Sequence, residues 1–166
     1  YILHINNCIS LLYNCTNMLS IAHGTTGALI ATLIPNPFIS TPLIIATHFL
    51  QDYIPHWDVG QGLSKQKKSK KTTFLQELFI DFPASILLVF LLFPGNSNQI
   101  NLLAFYGWVL ALLPDFLEFP YLFLNWRFWP ITQIDKFHKQ VHRSTSNKFK
   151  GLWPQVATIL LVYLLR

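Results

Sequence analysis

The chain has 166 residues, 52% apolar and 15% aromatic, with only 11% charged and a formal net charge of +5. The length suits one domain with a single core, and a charge content less than half the usual ~25% argues against an ordinary soluble domain and for a membrane protein. Five of the twelve basic residues fall in one run, Lys65 to Lys71, between apolar segments; such a loop suits membrane orientation better than nucleic-acid binding, so no nucleic acid is expected as a partner.

The chain begins with Tyr1, and its single methionine is Met18. Residues 1–17 are rich in asparagine and patternless. They lack the basic flank and small-residue cleavage site of a signal peptide. They are expected to be a non-native or disordered extension, leaving 18–166 as a single helical membrane domain. On that reading Cys8 and Cys15 fall away, and with them any disulfide or thiolate metal site.

Residues 19–34 read as a helix of small and apolar residues, whose Gly24, Gly27, Ala28 and Ala31 permit close helix approach. Pro35-Asn36-Pro37 ends it. A second apolar helix covers 39–54 and stops near Pro55. The third covers about 73–93 with a kink at Pro83, before a turn at Pro94-Gly95-Asn96. A fourth covers about 100–125, interrupted near Pro114 and Pro120. A short polar helix at 131–143 and a last apolar helix at 150–165 complete the chain. No strand alternation is present. The expected fold is all-α, a compact membrane-embedded bundle of five to six helices. The third and fourth segments are long enough to span, whereas the first two fall short of ~20 residues and read as half-spans or a hairpin.

Alternating the segments places Lys65, Lys67, Lys68, Lys70 and Lys71 on the same side as Arg127, Lys136, Lys139, Arg143, Lys148 and Lys150. The opposite loops, 35–38 and 94–99, carry no lysine or arginine, and Arg166 is the one exception. By the positive-inside rule the basic side is cytoplasmic. The same topology brings almost every histidine and acid after residue 20 to that side.

His48-x-x-x-Asp52 puts an imidazole and a carboxylate on one helix face, where they can grip one ion. His138-x-x-x-His142 does the same with two imidazoles, ligands suited to zinc. Asp115-x-x-Glu118 offers two carboxylates for a general base or a second metal. His23 opens the first helix on the same side. His56, Asp58, Glu77 and Asp81 are candidates for supporting or additional ligands. Each pattern has a plainer alternative. His48 and Asp52 can satisfy each other inside a bundle, His138 and His142 can face headgroups beside Lys136 and Lys139, and His56 or Asp58 can terminate a helix. Asp115, in an apolar run, requires a partner.

Taken together, Ala22-His23-Gly24-x-x-Gly27, His48-x-x-x-Asp52-x-x-Pro55-His56-x-Asp58, Leu113-Pro114-Asp115 and His138-x-x-x-His142-Arg143-Ser144-Thr145 resemble a bacterial inner-membrane family of metal-dependent hydrolases. That family is distantly similar to zinc-dependent phospholipase C, an all-α fold with His/Asp ligands. The family's Pro-Asp-x-Asp-His block has Leu117 here in place of its second Asp. Its His-Arg-Gly-x-Thr-His-Ser block lacks the second His, for which His138 is a substitute. The resemblance implies a divalent metal, zinc first. The expected ligands are His23, His48, Asp52, His138 and His142, with Asp115 and Glu118 catalytic and Lys139 and Arg143 holding an anionic substrate. It implies a hydrolase of phosphoesters or phospholipids at the inner (cytoplasmic) membrane, its polar site facing the cytoplasm and membrane lipid as its partner. The alternative is a non-catalytic integral membrane protein with a structural polar or metal-binding cluster.

Overall fold

A computed structural model describes residues 20–57, 69–95 and 99–166. Met18, residues 1–17, Asp58, Lys65, Lys67 and Lys68 lie outside the described residues. The fold is all-α: among the described residues there are six helices and no strand.

Helix α1 (Ser20–Leu33) is buried on nearly every side and forms the centre of the bundle. Its small residues explain that position. Gly27 faces Gly107 of α4 (Leu102–Leu124) so closely that a Cβ on either would strike the other's carbonyl. Two backbones meet there without side chains between them, as small-residue interfaces allow. Helix α2 (Pro37–Tyr53) starts with proline at its first position, and the Asn36 side chain accepts from Phe38 N at 3.0 Å. Both features satisfy an N-terminal turn that has no intrahelical acceptors.

Helix α3 (Lys70–Leu92) contains a π turn, Glu77–Asp81. The kink expected at Pro83 takes this form, widening the turn before a residue that cannot donate to the helix. Helix α4 corrects the sequence reading, because it runs through Pro114 and Pro120 without a break. Each proline removes only one backbone bond, and the helix as a whole packs closely against α1 and α5 (Ile131–Val141). The helix ends at Asn125 in the left-handed region (φ 57°), with the Asn125 and Trp126 amides both donating to Pro120 O. Asparagine tolerates that conformation at little cost. Helices α5 (Ile131–Val141) and α6 (Lys148–Leu165) follow, α6 capped by Asn147 accepting from Lys150 N at 3.0 Å.

The core is apolar, with Ala28, Val89, Ala104 and Leu112 almost inaccessible. The outside is apolar too: Phe38, Phe149, Leu102 and Trp129 are each at least 76% exposed. Helices α3 and α4 are long and apolar enough to cross a membrane. Lys70 Nζ donates to Asn125 Oδ1 at 2.9 Å, so the start of α3 and the end of α4 lie at one end of the bundle.

A candidate metal centre at the basic end

The last turn of α2 supplies Asp52, wholly buried, and every other group gathers round it. Its Oδ1 lies 3.2 Å from His23 Nε2 on α1 and 4.0 Å from His56 Nε2. Its Oδ2 lies 3.2 Å from His48 Nε2, one turn earlier on α2, and 2.7 Å from His138 Nε2 on α5. Asp115 Oδ1 on α4 approaches from the more open side, 3.7 Å from His48 Nε2 and 3.8 Å from His138 Nε2, its side chain 35% exposed.

The far nitrogens of the rings reveal their proton states. His48 Nδ1 is 2.7 Å from Ala111 O, and His56 Nδ1 is 2.7 Å from Ile54 O. A carbonyl only accepts, so both Nδ1 atoms carry the hydrogen, and in a neutral ring Nε2 is left as a lone pair. His48 Nε2 and Asp52 Oδ1 are buried and make no hydrogen bond. His138 Nδ1 lies 2.8 Å from Glu118 Oε2, a close ion-pair contact off the hydrogen-bond line. Glu118 therefore stands behind the His138 ring, while Asp115 faces the lone pairs.

His142 reaches the cluster through the backbone. Beyond α2 the chain at 52–57 runs beside the chain at 143–151: Arg143 N donates to Asp52 O at 2.9 Å, His56 N to Arg143 O at 3.1 Å and Thr145 N to His56 O at 2.8 Å. An isolated parallel bridge links His56 with Ser144. This clamp sets His142 Nε2 at 3.1 Å from His56 Nε2.

Two convergent groups result, His48–Asp52–His138 and Asp52–His56–His142, each with its ligand atoms within 4.8 Å of one another and both using Asp52. A zinc ion ~2 Å from its ligands sets tetrahedral ligand atoms roughly 3.3 Å apart, so small side-chain shifts suffice. The donor set also fits. Imidazole lone pairs and carboxylates aimed at one another in a buried place require positive charge, either protons or a metal ion.

Outside the spans, burial alone would lower the pKa of His138, but contacts with Asp52 and Glu118 and the nearby Asp115 outweigh it and push the pKa up to about 10. His142 goes the other way. Burial holds its pKa below the ordinary value, with the positive neighbour His138 helping and the Asp52 charge opposing.

The other expected site residues lie apart from these two groups. Glu77 and Asp81 sit on the π turn of α3. Asp81 accepts from Ser20 N at 3.1 Å, Ser85 Oγ donates to Ser20 O at 2.8 Å, and Trp108 Nε1 donates to Ser85 Oγ at 2.7 Å. That chain anchors the start of α1, which carries His23. Lys139 is bound to Asp135 at 2.6 Å and stands over the Tyr121 ring, and the Arg143 guanidinium lies 3.8 Å over Tyr53. Sequence reasoning passed over Gln51, Gln155 and the carbonyls of Ile54 and Ala111. Gln155 had a signal, as the one carboxamide inside the last apolar helix. The carbonyls had none.

No family model, curated protein or solved structure matches the chain.

Proposed function

We propose that this protein is a membrane-embedded hydrolase, dependent on a divalent metal and acting on phosphoesters, phospholipid headgroups among them, at the basic end of its bundle. The observation that carries this reading is the convergence of buried imidazole nitrogens and carboxylate oxygens on Asp52, with His48 Nε2 and Asp52 Oδ1 left without a hydrogen bond. His48, Asp52 and His138 would hold one ion, with His23 at the Asp52 edge, and His56 and His142 would hold a second through the shared carboxylate. Nitrogen-rich ligands of this kind favour zinc. When bound, such an ion supplies Lewis acidity toward a phosphoryl oxygen and lowers the pKa of water.

The chain's own groups do the rest. Ala111 O and Ile54 O keep the His48 and His56 rings in the tautomer whose Nε2 can coordinate. Glu118 fixes His138 from behind. Asp115, close to His48 and His138 yet partly open to solvent, is the group positioned to take a proton from an attacking water. Embedding is supported by the apolar exterior and by the two helices long enough to span. The basic end carries Lys70, Lys71, Arg127, Lys136, Arg143 and Lys148, suited to the cytoplasmic side of an inner membrane.

A structural reading has one observation in its favour. The His138 Nε2–Asp52 Oδ2 contact of 2.7 Å has the length of a charge-assisted hydrogen bond, and a proton there holds the cluster together without metal.

Hydrolysis of bis(p-nitrophenyl) phosphate by detergent-purified protein separates the two. The hydrolase reading predicts turnover that a chelator abolishes, zinc restores, and His48→Ala reduces by at least about a hundredfold, within the range of losses on removing a catalytic group. Chelator-insensitive turnover equal in wild type and variant, or none in either, contradicts it.

A further inference from the structure

Two carboxamides beside the cluster each donate through nitrogen and keep a buried oxygen without a partner. Gln155 Nε2 donates to Trp57 O at 2.8 Å and Gly151 O at 3.4 Å. Both partners are carbonyls, so nitrogen and oxygen cannot be exchanged, and Gln155 Oε1 is left buried with no partner. Gln51 Nε2 donates to Thr26 Oγ1 at 2.7 Å, whose own hydrogen goes to Ala22 O at 2.9 Å. Gln51 Oε1 is likewise buried and unpartnered, and so is His23 Nδ1. The residues carrying these three atoms come from α2, α6 and α1, and all line one cleft together with His56 and Thr158. Its space of about 20 Å³ admits one water-sized group.

Unpartnered buried polar atoms are rare and call for an occupant. Two of the three, the carboxamide oxygens Gln155 Oε1 and Gln51 Oε1, can only accept, so the occupant must be a donor toward them. We propose that this cleft is a donor-selective subsite beside the candidate metal centre, taking a compact hydroxyl or primary ammonium group of the substrate. It rests on the hydrolase reading for the rest of its ligand. His23 joins the two places, with Nε2 on Asp52 and Nδ1 across the same ring, and His56 belongs to both. The donor therefore sits a short tether from the reacting phosphoester. Ala22, Ile54 and Pro154 supply apolar walls that exclude a bulkier head.

Binding to zinc-loaded, detergent-purified full chain tests this with three soluble probes of matched size: O-phosphoethanolamine, 2-hydroxyethyl phosphate and n-propyl phosphate. Metal content is measured on the same samples. The first two should bind at least about tenfold more tightly than the third, since a site built for a donor rejects an analogue that lacks it. Gln155→Met, and separately Thr158→Met to fill the cleft, should erase that gap while metal content is unchanged. A parallel arm compares retention of phosphatidylethanolamine with phosphatidylcholine, whose quaternary nitrogen has no hydrogen to donate. A preference in either arm supports the subsite and identifies a soluble or lipid source. Equal binding within both sets overturns it, and so does no binding at all. Retained metal in those failing samples limits the failure to the subsite, whereas absent metal brings down the hydrolase reading as well.

Discussion

At the scale of single residues, the informative atoms are the ring nitrogens turned away from the centre. Ala111 O and Ile54 O each hold an Nδ1 hydrogen, which in a neutral ring leaves the opposite nitrogen of His48 and His56 as a lone pair. In metal-free protein, protons fill part of that need, and the pH dependence of stability should follow. His138, raised from the ordinary 6.5 to about 10, keeps a proton in the folded state that the unfolded chain has released. Its contribution is complete below pH 6.5 and is lost as pH rises toward 10. His142, lowered from 6.5, contributes in the opposite sense, and that stability is lost as pH falls below 6.5. Thermal melts of chelator-treated protein should fall across the alkaline window, and His138→Asn should flatten that fall. A melt independent of pH between 7 and 10 would contradict the pairing of His138 with Asp52 and Glu118.

At the scale of elements, the centre depends on how closely α1 approaches α4. A side chain at Gly107 would meet the Gly27 carbonyl, which is backbone and cannot swing aside. Gly107→Ala should therefore destabilise the fold by about 1–3 kcal/mol, as overpacking does, measured as a lower midpoint in denaturant. A midpoint at or above the wild type would mean the helices have room to separate. The order and approximate bounds of all six helices were legible in the sequence, five as apolar runs punctuated by Pro and Asn and the fifth in order as a short polar segment between two of them. The continuity of α4 through Pro114 and Pro120 was not, since local rules weigh a proline without the tertiary packing of its helix. The π turn was legible only as a kink at Pro83. The clamp between 52–57 and 143–151 left no local trace, because it is made of backbone bonds between segments far apart in the chain.

For the whole molecule, the tie between Lys70 and Asn125 and the gathering of the acids and histidines at that same end agree with the asymmetry of lysine and arginine. If α3 and α4 cross a membrane, a cysteine placed at Lys148 and one placed at Asn101, each with Cys8 and Cys15 replaced, should react with an impermeant thiol reagent from opposite sides. Lys148 should react only once the cytoplasmic side is opened. Labelling of both from one side would contradict the topology. The partners around Asp52 were legible as residue types converging on one end, yet the central role of this one carboxylate emerges only from the way α1, α2 and α5 pack. Asp52 belongs to both convergent groups, so the most direct measurement is the metal content of purified Asp52→Asn beside wild type, by elemental analysis after identical purification. The account predicts about one to two equivalents of divalent metal, zinc foremost, in the wild type and a loss of nearly all of it in the folded variant. Metal content equal in the two proteins, or no metal in either, would contradict it.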